Sequence, residues 1–162
     1  MPLAILDVDG VLADVRHRLR HVESKPKDWH AFFSAAPQDG VLPQGLQRAR
    51  ELATEFSIVY LTGRPERCRL DTDEWLLAHG FPDGELVMRS DSDRRPARFF
   101  KVGQARRLSK KGDIAVIVDD DSAVVDALRE EGFTVEHATW MSEIEPQHSS
   151  ILFDAQEREG RT

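Results

Sequence analysis

Leu3-Ala4-Ile5-Leu6-Asp7-Val8-Asp9-Gly10 stands at the head of the chain, an apolar run that breaks into two aspartates and a glycine. A continuous apolar run bounded by a turn signal reads as a strand covered on both faces, the kind found in parallel sheets flanked by helices. It predicts a strand over 3–8. Two further stretches repeat the pattern. Ser57-Ile58-Val59-Tyr60-Leu61 leads into Thr62-Gly63-Arg64, and Ile114-Ala115-Val116-Ile117-Val118 leads into Asp119-Asp120. In an open parallel sheet the carboxyl ends of the strands share one edge, and ligands bind there. That edge would gather these scattered polar residues into one candidate site.

The intervening stretches supply the helices. Asp28-Trp29-His30-Ala31-Phe32-Phe33 predicts a short helix with Asp28 near its N-cap. Pro37, Gly40 and Pro43 punctuate the chain, and Leu46, Ala49, Leu52, Ala53 and Phe56 then follow helical spacing. Pro65 and Glu66 open another helix, with Trp75, Leu76 and Leu77 on its apolar side and Gly80 as its cap. Strands are predicted at 85–88, 114–118 and 133–135. Helices are predicted around Phe99, Val102, Ala105 and Leu108, and around Val124, Val125 and Leu128. Strand and helix in alternation give an α/β fold, a mainly parallel sheet flanked by helices. The expected organisation is one domain over 1–145, with 13–43 as a small cap-like insertion. A polar tail, 146–162, is expected to be partly flexible, with Ile151, Leu152 and Phe153 packing back onto the body.

The length of 162 residues suits one domain with a sizeable core. A net charge of −7 argues against a whole-surface nucleic-acid binder but leaves room for a local basic groove. Basic residues do cluster, at Arg16, Arg18, Arg20, Lys25 and Lys27, and again from Arg89 to Lys111. Cys68 is the single cysteine, so no internal disulfide can form. No apolar run reaches membrane-spanning length, and Asp7 and Asp9 interrupt any signal-like start. The expected location is cytoplasmic.

The residue types set the chemistry. Two carboxylates in one cleft, Asp7 and Asp9, repel each other unless a cation sits there. One of such a pair can attack phosphorus while the other moves a proton. Asp119 and Asp120 add more negative charge at the same edge, costly without a divalent ion, and all-oxygen donors suit magnesium. Asp121 reads instead as the cap of the next helix, with Ser122. Thr62 and Gly63 offer a hydroxyl and free N–H groups to an anion, and Arg64 offers a forked clamp. Lys101, between Phe100 and Val102, stands out from Lys110 and Lys111 by its place in the order of segments. Together the set describes phosphoryl transfer by charge neutralisation and positioning.

This arrangement resembles the haloacid dehalogenase superfamily, specifically its magnesium-dependent aspartyl-phosphate phosphatases. Asp7-Val8-Asp9-Gly10-Val11 looks like the first motif, Thr62-Gly63-Arg64 the second, Lys101 the third and Asp119-Asp120 the fourth. The resemblance implies Asp7 as nucleophile and Asp9 as general acid/base. It implies Mg2+ held by Asp7, the Asp9 carbonyl and an acid of the fourth motif, Asp119 or Asp120. It also implies a Rossmann-like fold with only a minimal cap. Leu61 to Glu66, Leu86 to Arg89, and Asp93-Arg94-Arg95-Pro96 leading to Lys101 are similar to the phosphatase domain of bacteriophage polynucleotide kinase. So is Ile117 to Asp120 with Val124-Val125. Standalone phosphatases of that group also resemble the chain at His17-Arg18-Leu19 and around Asp28-Trp29.

This closer likeness implies removal of 3′-phosphates from nucleic-acid ends or nucleotides, with Arg64 and an arginine near 89–95, Arg89 or Arg95, on the phosphate. Val11 replaces a threonine common among relatives, so a hydroxyl contact is absent there. No Gly-x-x-x-x-Gly-Lys-Ser/Thr loop occurs, and kinase activity is not expected. A short insertion leaves an open cleft, suited to an extended substrate or to cover by a second subunit in a homo-oligomer. His17, Arg18, His21 and Trp29 could line its rim. A small-molecule nucleotide phosphatase is the alternative within the same chemistry. A receiver module shares the aspartate, threonine, lysine and acid pair, but its acid pair comes early and it lacks a residue in the place of Asp9. A non-catalytic binding protein is disfavoured by the complete motif set.

Overall fold

Strand β1 (Leu3–Leu6) is the middle of a five-stranded sheet in the computed structural model, which describes residues 1–162. β4 (Ser57–Pro65) lies on one side of it and β6 (Ile114–Asp119) on the other; β5 (Gly84–Arg89) and β7 (Val135–His137) are the edges. Every pairing is parallel. From β1 the chain winds outward through β4 to β5, then crosses back to β6. The direction of winding reverses beside β1, and a crevice opens at the carboxyl ends of strands around such a switch point.

Strand periodicity divides the core. Ala4, Leu6, Ile58, Tyr60, Val116 and Val118 belong to one apolar cluster, and Ile5, Val59, Leu61 and Ile117 to another. Successive side chains point to opposite faces, so the two clusters are the two faces of the sheet. Helices α2 (Pro43–Ala53) and α3 (Arg69–Ala78) supply Ala49, Leu52, Trp75 and Leu76 to the first. Helices α4 (Ala97–Ser109) and α5 (Ser122–Glu130) supply Phe100, Ala105, Leu108, Val124, Val125 and Leu128 to the second. The result is a Rossmann-like three-layer α/β fold. The same parity aims Asp7 and Asp119, which continue the face of Ile5 and Ile117, toward α4 and its lysine.

Residues 13–43 carry a two-stranded antiparallel ribbon, β2 (Ala13–Asp14) with β3 (Gly40–Val41). Between them lie a 3-10 turn (Arg16–His21), α1 (Trp29–Ser34) and a second 3-10 turn (Ala36–Gln38). Asp28 caps α1 by accepting the Ala31 N–H at 2.9 Å. Trp29, Phe32 and Phe33 pack on one another, with centroids 5.1 to 6.3 Å apart. The polar tail carries α6 (Trp140–Ile144), α7 (Pro146–Phe153) and a π turn (Asp154–Arg158), with Leu152 buried in the first cluster.

Boundaries differ from the sequence expectation in four places. β1 ends at Leu6 rather than at residue 8, because the chain turns at Asp7 into Gly10. β4 runs on to Pro65, so Thr62, Gly63 and Arg64 lie within a strand rather than in a strand-to-helix turn. Pairing with β5 resumes at Pro65 opposite Arg89 after a bulge, and the helix expected from Pro65 begins at Arg69 after a 3-10 turn. The final strand covers 135–137 instead of 133–135. Gly132, at φ 92°, closes α5, and the Phe133 N–H bonds back to Leu128, which removes Phe133 from the sheet.

Candidate active site

Asp7, at the end of β1, and Asp119, at the end of β6, meet Lys101 from α4. The Lys101 ammonium donates to Asp119 Oδ2 at 2.5 Å and lies 2.8 Å from Asp7 Oδ1. All three are buried. Asp120 completes the group: Asp7, Asp119 and Asp120 each present a carboxylate oxygen within 4.8 Å of the others. Gly10, at φ 82°, makes this approach feasible, since a Cβ there would lie 2.3 Å from Asp120 Oδ2.

Three carboxylates around one ammonium leave an excess of negative charge. Burial pushes Asp7 up to about 7; Lys101 opposes the rise and Asp119 adds to it. Asp120 is also raised, by burial and then by Asp7 and Asp119. Burial alone would lower Lys101, but Asp119 and Asp7 outweigh it and keep the ammonium charged. Buried carboxyls gathered in an all-oxygen cradle are the donor set of a hard divalent cation, which would favour their ionised forms.

Asp9 lies apart from this group. Arg64 donates to Asp9 Oδ1 through Nε and Nη2 at 2.9 and 2.6 Å, and Arg18 Nη2 donates to the same oxygen at 3.0 Å. Asp39 bridges the two arginines, accepting from Arg18 Nε at 2.8 Å and from Arg64 Nη2 at 2.9 Å. Two acids and two guanidiniums thus form a buried, charge-balanced quartet. Trp75 Nε1 holds the Asp39 carbonyl at 2.8 Å, and the Thr72 hydroxyl accepts from Arg64 Nη1 at 3.2 Å. Burial pushes Asp9 upward, but Arg64 and Arg18 overcome it and hold the carboxyl far below the ordinary range. The Asp9 carboxylate is therefore not part of the acidic cradle, which leaves only its backbone carbonyl for the metal role expected from sequence.

Thr62 is fully buried, and its Oγ1 accepts the Arg64 N–H at 3.1 Å. Gly63 follows it in β4 and is buried. The phosphate clamp expected of Arg64 meets a different arrangement, because its donors are spent on Asp9, Asp39 and Thr72. Arg89 is buried beside Gly63, donating to the Gly63 carbonyl at 3.1 Å and the Arg95 carbonyl at 2.6 Å, over the ring of Phe100. Arg95 lies at the surface. Its side chain is 62% exposed and pairs with Asp93. Asp121 caps α5 through the N–H groups of Ala123 and Val124 and lies outside the cradle.

Sequence reading missed Asp39 and Thr162, and it placed Arg18 on the rim rather than in the buried quartet. Asp39 sits in the Gln38-Asp39-Gly40 stretch that read as turn punctuation. Thr162 comes from the tail: its hydroxyl donates to Asp9 Oδ2, and its carbonyl accepts from Arg89 Nη2 at 3.4 Å. Only the basic cluster around Arg18 carried a signal.

A family profile described as the polynucleotide kinase PNKP phosphatase domain matches residues 2–139. No curated protein matches the sequence. Among solved structures, the chain superposes on the Pnkp1/Rnl/Hen1 RNA repair complex with a TM-score of 0.69 at 22% identity, covering 85% of this chain and 42% of that one. A second structure of that complex gives 0.70, also at 22% identity, with 46% of its chain covered. The chain therefore spans under half the length of these relatives. A haloacid dehalogenase-like hydrolase, SP0104 from Streptococcus pneumoniae, gives 0.58 at 16% identity, with 83% of both chains covered. A subfamily IA hydrolase of the same superfamily from Geobacter sulfurreducens gives 0.53 at 12%, covering 83% of this chain and 85% of its own. At these identities the superpositions speak for the fold, which is that of the superfamily. The profile match spans most of the sequence and takes in every segment of the site but Thr162; the chain belongs to the polynucleotide kinase PNKP phosphatase domain family and is a phosphatase domain of the haloacid dehalogenase type.

Proposed function

We propose that this domain is a Mg2+-dependent phosphomonoesterase that removes 3′-phosphates from nucleic-acid ends through an aspartyl-phosphate on Asp7. The observation that carries the reading is the division of labour between two aspartates two residues apart. Asp7 lies in a cradle fit for a dication, against Lys101, while Asp9 lies outside it, held by Arg18 and Arg64. Nucleophile and proton carrier need different surroundings: a dication in the cradle would favour the ionised form of Asp7, and the arginines keep Asp9 out of that cradle.

In the proposed sequence an Asp7 carboxylate oxygen attacks phosphorus in line, and the bond from phosphorus to the ester oxygen breaks. The substrate phosphate, bound as its singly protonated form, passes that proton to Asp9, which is ionised in the free protein, and Asp9 delivers it to the ester oxygen as the alcohol leaves. Water then attacks the same phosphorus, Asp9 takes the water's proton, and the acyl-phosphate bond opens to restore Asp7 and release phosphate. A magnesium ion held by Asp7, Asp119 or Asp120 and the Asp9 carbonyl would offset charge on the transferring oxygens. Lys101 neutralises part of the charge shared by Asp7 and the phosphate. The Thr62 hydroxyl and the Gly63 N–H would bind its oxygens. The strong depression of Asp9 suits the second half, where it must begin ionised.

The polynucleotide substrate is supported by the family match and by Lys27, Arg67 and Arg94, which lie around residues 159–161 in the cleft. The test is hydrolysis of a 3′-phosphorylated oligonucleotide and of a 3′-mononucleotide, with Mg2+ and with EDTA. The expected result is metal-dependent release that prefers the oligonucleotide and vanishes in Asp7→Asn. Equal rates on the two substrates would favour a nucleotide phosphatase. Full activity in Asp7→Asn would remove the aspartyl-phosphate altogether.

A further inference from the structure

The tail does not stop at the surface. After the π turn, residues 155–162 lie across the cleft, and Ala155, Gln156, Glu157, Gly160 and Thr162 are buried there. Glu157 accepts from the Arg98 guanidinium at 2.6 Å and the Arg98 N–H at 3.2 Å. Glu159 accepts from Lys27 at 2.7 Å, on the far wall. Arg161 lies 4.9 Å from the centroid of the Trp29 ring. Gly160, at φ 59°, presses so close to the opposite wall that a Cβ would fall 2.1 Å from the Arg94 carbonyl oxygen. At the deep end a Cβ on Gly63 would fall 2.2 Å from the Thr162 carbonyl carbon, and the Thr162 hydroxyl rests on Asp9 Oδ2.

That seat has a chemistry of its own. In the reaction proposed above, the leaving oxygen must sit against Asp9, and here a hydroxyl occupies that place. Behind a 3′-phosphate, the oxygen that leaves belongs to a ribose, and the strand continues from it with an anionic phosphate at each step. The strap follows the same pattern in protein form: a hydroxyl on Asp9, then carboxylates of Glu159 and Glu157 seated on Lys27 and Arg98. More cations face the same space. Burial lowers Arg161, Arg94 and Arg67 lower it further, and Glu159 offsets them only in part, so these guanidiniums crowd one another. Anion binding would relieve that repulsion. Trp29 offers a half-buried ring that a cation now covers, a surface on which a base can stack.

We propose that the channel filled by residues 155–162 is the seat of the last nucleotides of a single-stranded nucleic acid, and that the strap is a built-in competitor which the strand displaces. The inference rests on the 3′-phosphatase reading for the identity of the leaving group. A channel open only a fraction of the time binds its ligand more weakly by that fraction. Loosening the strap without touching the catalytic set therefore tightens binding.

Gly160→Val does so, since it strains a left-handed residue and drives a side chain into the Arg94 carbonyl. Glu159→Gln is the gentler variant, removing one partly exposed ion pair. The probe is hexathymidylate bearing a free 3′-hydroxyl, followed by fluorescence anisotropy in EDTA, where neither metal nor turnover enters. Gly160→Val is expected to bind about tenfold more tightly than the native chain, and Glu159→Gln about two- to fivefold more tightly. In the native protein, the oligonucleotide is expected to speed amide exchange at 158–162. Unchanged or weaker affinity in both variants, or exchange at 158–162 that the oligonucleotide leaves unaltered, overturns the proposal. Tighter binding in the variants with no hydrolysis of any 3′-phosphate in Mg2+ would leave the strap standing and defeat the phosphatase reading instead.

Discussion

Asp7 and Asp120 are carboxyls whose burial outweighs the pull of Lys101, and the sign of that imbalance sets how the metal-free protein answers pH. Asp7 rises from the ordinary 3.8 to about 7, so between those values the folded chain holds a proton that the unfolded chain has released. Stability falls with rising pH wherever the native state binds more protons. In EDTA, the melting temperature is expected to drop between pH 5 and pH 8, and Mg2+ is expected to cancel the drop by favouring the ionised forms. Asp9, shifted downward, acts in the opposite sense, and only below about pH 4. Differential scanning fluorimetry at both pH values checks this; a melting temperature in EDTA that rises from pH 5 to pH 8 contradicts it. The quartet yields a second expectation at this scale. Arg18→Met leaves Asp9 and Asp39 buried with one guanidinium between them, and losing one partner of a buried pair costs about 3–5 kcal/mol. Urea denaturation should show at least the lower figure. Little of the quartet was legible in sequence. Arg18 and Asp39 lie 21 residues apart and carry no motif of their own, so only the fold reveals that each neutralises the other.

At the scale of elements, apolar runs marked where the strands lie but not where they stop. The signal in β4 fades after Leu61, yet the backbone continues extended to Pro65, because β5 offers Arg89 as a partner across the bulge. Thr62 and Arg64 are held by that extension more firmly than a turn would hold them. In the Asp119-Asp120-Asp121 run a strand end and a helix start meet, and the cap read for Asp121 is present. Asp121 accepts from the Ala123 N–H at 2.9 Å, while its Oδ2 is buried without a hydrogen-bond partner. Burial, with Glu157 and Asp119 nearby, pushes it up to about 9, so it is neutral at pH 7. Asp121→Asn keeps the capping oxygen and the neutral state, and its stability should stay within about 0.5 kcal/mol of the parent. Asp121→Ala removes the cap and should lose about 1 kcal/mol. Equal losses in the two variants, read from urea midpoints, would refute a capping role. The path of 155–162 was beyond sequence reading for the same reason that it matters. Its contacts are ion pairs and close backbone approaches to residues more than fifty positions away, and neither leaves a periodic trace.

For the molecule as a whole, net charge and local charge point in opposite directions. The chain carries −7, while Lys27, Arg67, Arg94 and Arg98 gather along residues 157–161 in the cleft. The motif order and the shared carboxyl edge of the strands made the grouping of Asp7, Lys101, Asp119 and Asp120 legible in the sequence, though with Asp9 counted among them; the basic cleft was only a cluster in one dimension. The two charge scales separate when salt is varied. A small phosphate ester meets only the buried catalytic groups, which ions of the medium screen poorly. An oligonucleotide must also shed counterions to engage the rim, and single strands lose affinity with a log–log slope of about −0.7 per neutralised phosphate. If Lys27 and Arg98 each take one phosphate of the strand, the slope of kcat/KM against salt should be near −1.4, by that relation. The same measurement on a mononucleotide should be nearly flat. Lys27→Ala should bring the oligonucleotide slope up by about 0.7 while leaving hydrolysis of the small ester unchanged. Parallel slopes for the two substrates would mean that the strand does not touch the rim, and the negative surface would then govern approach to the site.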